Sequence, residues 1–212
     1  MNVIDAIMRK DLAALKRALA EGASPDQTQP GLSALQLAAY QRFTEGVDAL
    51  LAAGARPDVW AAAALGDASR IRALVQADAS LLMRAGPDGF PPLHLAAHFG
   101  RSEALRELLA LGAIVDGLSG PPLVNTALHA AAAGGGVETA ESLLAAGART
   151  DIFDANGYLA LHVAAASGEP RLVRAMLERG AEAAARSREG KTALEYAVAR
   201  EKPEVAALLR AQ

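Results

Sequence analysis

Apolar and polar residues fall along this chain in short helical blocks rather than in strand-like alternation. In Ser102–Leu109 the apolar residues are Ala104, Leu105, Leu108 and Leu109, the spacing of one buried helical face. Before them, Pro91-Pro92-Leu93-His94 reads as a turn, from which Leu95-Ala96-Ala97 opens a short first helix that Gly100 breaks. Gly112 stands where a left-handed residue commonly ends a helix. A lone helix–turn–helix of this kind leaves its apolar face in water, so the pattern predicts that it stacks on units like itself.

Such units recur. Leu35, Leu93, Leu128, Leu161 and Leu194 each head an Ala-rich apolar segment, and 19 residues after the first four come Gly54, Gly112, Gly147 and Gly180. The leucines are 58, 35, 33 and 33 residues apart. Val3 keeps the same distance before Gly22, and the gap of 58 hides a degenerate unit between Val59 and Asp78. Seven units follow, at about 1–31, 32–55, 56–85, 86–118, 119–153, 154–186 and 187–212, in one domain whose units touch only their neighbours. The interval from Leu35 to Val59 is only 24, so Arg56-Pro57-Asp58 is expected to lead straight into a helix, with a long loop over 76–87 after it. Asp11 and Asp67 stand where N-caps are wanted, and Pro170 and Pro203 in first helical turns.

The segments PPLHLAA (Pro91–Ala97), TALHAAA (Thr126–Ala132), LALHVAA (Leu159–Ala165) and TALEYA (Thr192–Ala197) are in phase, as are two copies of LLAAGA (Leu50–Ala55 and Leu143–Ala148). They are variants of the T-P-L-H-x-A motif and second-helix ending of ankyrin repeats, and the chain resembles that family over nearly its whole length. The first and third units depart most from the motif. The resemblance implies an all-α solenoid of about seven stacked helix–turn–helix units with short β-hairpin fingers. It also implies partner recognition by the finger tips and first helices, which line a concave face.

Composition fits a core of small side chains, since 52% of residues are hydrophobic and only 4% aromatic. The net charge of −3 argues against nucleic-acid binding, which needs a basic stripe. The excess of Arg over Lys with abundant Ala and Gly fits GC-rich, bacterial coding. With no cysteine, disulfides and thiolate metal sites are excluded. Asp5, Arg9 and Lys10 interrupt any signal-peptide core, and the most apolar stretch, Val47–Leu65, carries Asp48, Arg56 and Asp58, so no membrane span is expected. The expectation is a cytoplasmic monomer.

His94, His129 and His162 are the obvious ligands or bases. They share one phase, so they lie one layer apart, roughly 10 Å in packed helices, whereas zinc ligands with bonds of about 2 Å must converge. They form a ladder, and the resemblance gives each a turn-bracing role. Gly134-Gly135-Gly136 lacks the Lys-Ser/Thr of a phosphate loop and coincides with an interhelix turn. No nucleophile elbow is present. No enzymatic activity, cofactor or metal is expected.

By phase, the recognition positions include Tyr40, His98, Phe99 and Arg200 on first helices, and Asp88, Phe90, Phe153, Asn156, Tyr158 and Arg188 on fingers. Five of the eight aromatics fall among them, the residue types that carry most binding energy in interfaces. His98-Phe99, beside Phe90, is the strongest candidate, with His98 exposed. Tyr196 falls on a core phase. The leading expectation is a non-catalytic protein-binding module with an unidentified protein partner. A homo-oligomeric scaffold, or a small enzyme or ligand binder on the same frame, are the alternatives.

Overall fold

A computed structural model describes residues 2–212, and the helical blocks seen in the sequence fold into two layers of short helices. The first layer comprises α1 (Val3–Met8), α3 (Ala34–Tyr40), α5 (Val59–Leu65), α7 (Pro92–His98), α9 (Ala127–Gly134), α11 (Ala160–Ser167) and α13 (Ala193–Ala199). The second comprises α2 (Leu12–Ala20), α4 (Thr44–Ala52), α6 (Ala68–Ala77), α8 (Ser102–Ala110), α10 (Val137–Ala145), α12 (Pro170–Glu178) and α14 (Pro203–Arg210). Each first-layer helix packs on the next one in the layer and on the second-layer helix that follows it in sequence.

Small residues make this possible. Ala61–Ala64, Ala96, Ala97, Ala131, Ala132, Ala164 and Ala165 are fully buried, so first-layer backbones approach closely. The closest approach is at Gly134, where a Cβ would sit 1.9 Å from the carbonyl oxygen of His98. The larger leucines (Leu15, Leu50, Leu105, Leu143, Leu172) fill the space between layers. Four of the seven interhelix turns hold a left-handed glycine: Gly66, Gly100, Gly135 and Gly168. Lys10, Arg42 and Glu201 hold the same conformation without one.

The N-caps lie where their residues indicate. Asp11 accepts from the Ala14 amide at 2.9 Å and Asp67 from the Arg70 amide at 2.9 Å. Pro170 and Pro203 open α12 and α14. Asp58 caps α5 directly, accepting from the Ala61 amide at 2.7 Å, so no turn projects between α4 and α5. Elsewhere the chain between pairs turns back on itself. Strands β1 (Thr28–Gln29) and β2 (Leu32–Ser33) pair antiparallel, and isolated bridges join Leu118 to Thr126 and Arg186 to Thr192. Neighbouring turns are laced together by Gly120 N–H to Gly89 O (2.7 Å), Ala155 N–H to Leu123 O (3.0 Å) and Arg188 N–H to Gly157 O (2.9 Å).

Two sequence expectations need correction. Pro91-Pro92-Leu93-His94 is not a free turn: α7 starts at Pro92, because proline costs nothing at a first helical position. The stretch 76–87 is not all loop. It contains the end of α6 and a 3-10 helix, Ala79–Leu82, where the Asp78 side chain accepts from the Ser80 amide at 3.0 Å. Trp60 holds the rest of that segment, its indole N–H donating to Arg84 O at 3.1 Å.

The second layer has one break. α4 and α6 pack far less closely than any other neighbours in the second layer. The buried residues accordingly form two clusters, one from Val3 to Ala61 and one from Val59 to Leu209, which meet at α5. An open groove of about 800 Å³ runs from this break along the interhelix turns, past Phe43 and Leu51 on one side and Leu65, Gly100 and Gly136 on the other.

Candidate functional site

The buried histidines are built into the frame. His94, His129 and His162 sit on the first turns of α7, α9 and α11, each almost fully buried. Their Nε2 atoms hydrogen-bond to carbonyls of the following loop: Asn125 O at 2.9 Å, Tyr158 O at 3.0 Å and Ala185 O at 3.1 Å. On the other side of the ring, His129 Nδ1 meets Thr126 Oγ1 at 2.8 Å, and His162 Nδ1 accepts from the Leu159 amide at 3.0 Å. His94 Nδ1 has no partner, because Pro91 occupies its cap position and offers neither N–H nor hydroxyl. Burial depresses all three imidazoles, and His94 is held down to about 4. They bridge one loop to the next. Among the described residues no group of three or more His, Cys, Asp or Glu is placed to hold a metal ion.

The absent turn between α4 and α5 has a consequence two helix pairs away. With nothing projecting there, the end of α3 reaches the loop before α7. The Tyr40 hydroxyl donates to the Asp88 carboxylate, and its ring stacks on Phe99 with centroids 5.4 Å apart at 22°. Burial first, then Asp88, raises the Tyr40 phenol well above its ordinary range, so it stays protonated. The β1–β2 turn closes on the same loop, where Gly31 lies against the Pro87 ring. His98 packs edge-on against Phe99, centroids 5.0 Å apart.

These side chains line an open pocket of about 320 Å³ formed by Tyr40, Arg42, Asp88, Phe90, His98 and Phe99 together with His94, Leu95, Ala130, Leu123 and Asn125. Its walls are mostly apolar and aromatic. Its polar groups are the Tyr40 hydroxyl on the Asp88 carboxylate, the imidazoles of His94 and His98, the exposed Arg42 and the amide of Asn125, which is nine-tenths buried. That is the constitution of a recognition pocket: an apolar body with a few fixed polar atoms.

Five of the ten residues singled out from sequence (Tyr40, Asp88, Phe90, His98 and Phe99) therefore share one pocket. The other five do not join it. Tyr158 makes a second aromatic group, its hydroxyl donating to Glu189 at 2.6 Å and its ring meeting Tyr196 edge-on at 5.5 Å. Phe153 is 50% exposed, and Asn156, Arg188 and Arg200 are exposed, with Arg188 donating to Ala155 O at 2.9 Å. His98 is half-buried rather than exposed, since Phe99 and α9 cover one side of it. Tyr196 is not a core residue. It is half-buried because its hydroxyl reaches past the buried Ser187 to Glu189 at the surface. Sequence reasoning missed Arg42 and Leu123. The shortened 24-residue interval was the available signal, since a missing projection lets Tyr40 and Arg42 face α7 and the loop before it.

No curated protein matches the chain. Among the described residues no helix is long and apolar enough to cross a membrane. The family model described as ankyrin repeats (3 copies) matches residues 59–154 and 128–212, which together run from the first residue of α5 to the last residue of the chain. With that match covering more than half of its length, on a frame of stacked helix pairs braced by motif histidines, this chain belongs to the ankyrin-repeat family.

Proposed function

We propose that the chain is a non-catalytic protein-binding module that holds a partner across the pocket between Tyr40, Asp88, Phe90, His98 and Phe99. Ankyrin repeats are generally protein–protein interaction modules. The finer reading takes each of the seven helix pairs as one repeat, at the boundaries given above, with the intervening turns as fingers. The fingers and first helices form a concave face for a single partner protein. Phe153, Asn156, Tyr158, Arg188 and Arg200 extend that face toward the C-terminus. The module works as a cytoplasmic monomer.

One observation carries this reading: aromatic side chains from non-adjacent units converge on an open, mostly apolar pocket, although aromatics are only 4% of the chain. Rigid aromatic walls bury much area at little entropic cost. The test is affinity capture from native lysate with wild type beside His98→Ala/Phe99→Ala. A protein retained by wild type and lost by the double variant is the expected result. Equal retention by both puts the site elsewhere.

A further inference from the structure

We propose that residues 2–58 dock on residues 59–212 as a unit that can swing open as a whole, with Tyr40 as its latch, so that the pocket exists only in the closed form. This deepens the binding reading by supplying its regulation, and it rests on that reading only for its use.

Four observations bear on it. The buried residues form two clusters that share only α5, with the half-buried Tyr40 reaching from the first part onto the second cluster. Packing in the second layer is continuous from α2 to α4 and again from α6 to α14, and lapses between α4 and α6, where the open groove lies instead. What spans the break is therefore the α3–α5 contact, the capping of α5 by Asp58, one hydrogen bond from Arg70 Nε to Pro57 O at 3.0 Å, and the latch on the opposite edge. The latch consists of the Tyr40–Asp88 bond, the Tyr40–Phe99 stack and the closure of Gly31 on Pro87.

The pocket straddles that division. Tyr40 and Arg42 come from the N-terminal part, and every other lining residue lies between Asp88 and Ala133. Opening removes one wall. A partner seated in the pocket contacts both parts and so holds the latch shut, because whatever binds only the closed form shifts the equilibrium toward it. In an array of identical repeats, fraying would instead proceed unit by unit from the end.

Native-state hydrogen exchange on the full chain, at guanidinium concentrations below the unfolding transition, decides the matter without any partner. The proposal expects the core amides of α2 and α4 to share one opening equilibrium, distinct from that of α8, α10 and α12. Tyr40→Phe keeps the ring stack and removes the bond to the carboxylate. It should raise exchange in α1–α4 by about tenfold, the size of one hydrogen bond to a charged group, and leave α8–α12 unchanged. Tyr158→Phe, which loses the like bond to Glu189 inside the C-terminal part, should leave α1–α4 unchanged. A single opening equilibrium for the whole chain overturns the proposal, as does protection that rises stepwise from α2 to α4. So does a Tyr40→Phe effect no larger in α1–α4 than in α8–α12. If exchange shows the opening but affinity capture finds no partner, the latch stands and the binding reading falls.

Discussion

The chain before Pro57 and the chain after it obey the same phase with different materials. After the break, four of five interhelix turns hold glycine in the left-handed conformation. Before it, both turns force that conformation on long cationic side chains, Lys10 and Arg42. After the break, three of the five helix pairs hold histidine at the motif position, His94, His129 and His162, each reaching the next loop, while Trp60 and Glu195 hold it in the other two. Before it, Gln36 holds that position, bracing Ser33 in a capping box, while its amide nitrogen finds no carbonyl because the next pair brings no projecting loop. The family match begins at Val59, where the second buried cluster begins. A repeat frame therefore tolerates loss of its signature, at the expense of strain and of continuity with its neighbours.

Close packing separates the two parts most sharply. Gly134→Ala puts a Cβ 1.9 Å from the His98 carbonyl oxygen, a backbone atom that cannot move alone. The variant should lose about 3 kcal/mol of stability, near the upper end for overpacking. Gly46→Ala meets the buried Phe43 ring instead, a side chain that can shift where a backbone carbonyl cannot, and gains helix propensity, so its loss should be smaller, about 1 kcal/mol. Urea unfolding of both variants measures the contrast, and equal losses would erase it.

Acid should distinguish the parts next. All four histidines lie after residue 59. Burial holds His94 at about 4 when folded, against about 6.5 unfolded. A depressed folded value means that the unfolded chain binds more protons between those limits, so stability falls as pH falls through that window. Between pH 7 and 5 the His94 contribution is about 2 kcal/mol. Exchange protection in α8–α12 should drop over that range while that in α2 stays nearly flat. His94→Gln, which copies Gln36, should shrink the drop.

Turn strain comes third. Gly100→Ala should cost about 1 kcal/mol although its Cβ meets nothing within 4 Å, because only the left-handed backbone is at issue. Lys10→Gly should return a smaller amount, since glycine also frees the unfolded chain. The smallest effect concerns the orphaned imidazole nitrogen. Pro91→Thr gives His94 Nδ1 the partner that Thr126 gives His129, and should add about 0.5 kcal/mol once the rigidity of proline is lost. Paired thermal melts resolve both.

Much of the frame was legible because it depends on local rules. Asp11, Asp67, Pro170 and Pro203 mark helix starts wherever they occur, and the ladder of histidines follows from equal phase. The pocket was only half legible. Phase picked out Tyr40, Asp88, Phe90, His98 and Phe99 separately, yet the rule that units touch only neighbours kept Tyr40 two layers from Phe99. The short 24-residue interval from Leu35 to Val59 breaks that rule, and its effect appears only in three dimensions. Tyr196 misled for a similar reason. Its phase is a core phase, but a phenol hydroxyl has to reach polar partners, here Ser187 and Glu189.

The account stands on the pocket across the break being the place where a partner is held. Displayed peptides selected on the wild-type protein, then titrated against wild type, Phe99→Ala and Phe153→Ala, test this most directly. Phe99→Ala should weaken the selected peptides by about 30-fold, as loss of a central aromatic anchor does, and Phe153→Ala by less than about threefold. Peptides that lose affinity with Phe153→Ala and keep it with Phe99→Ala would contradict the account.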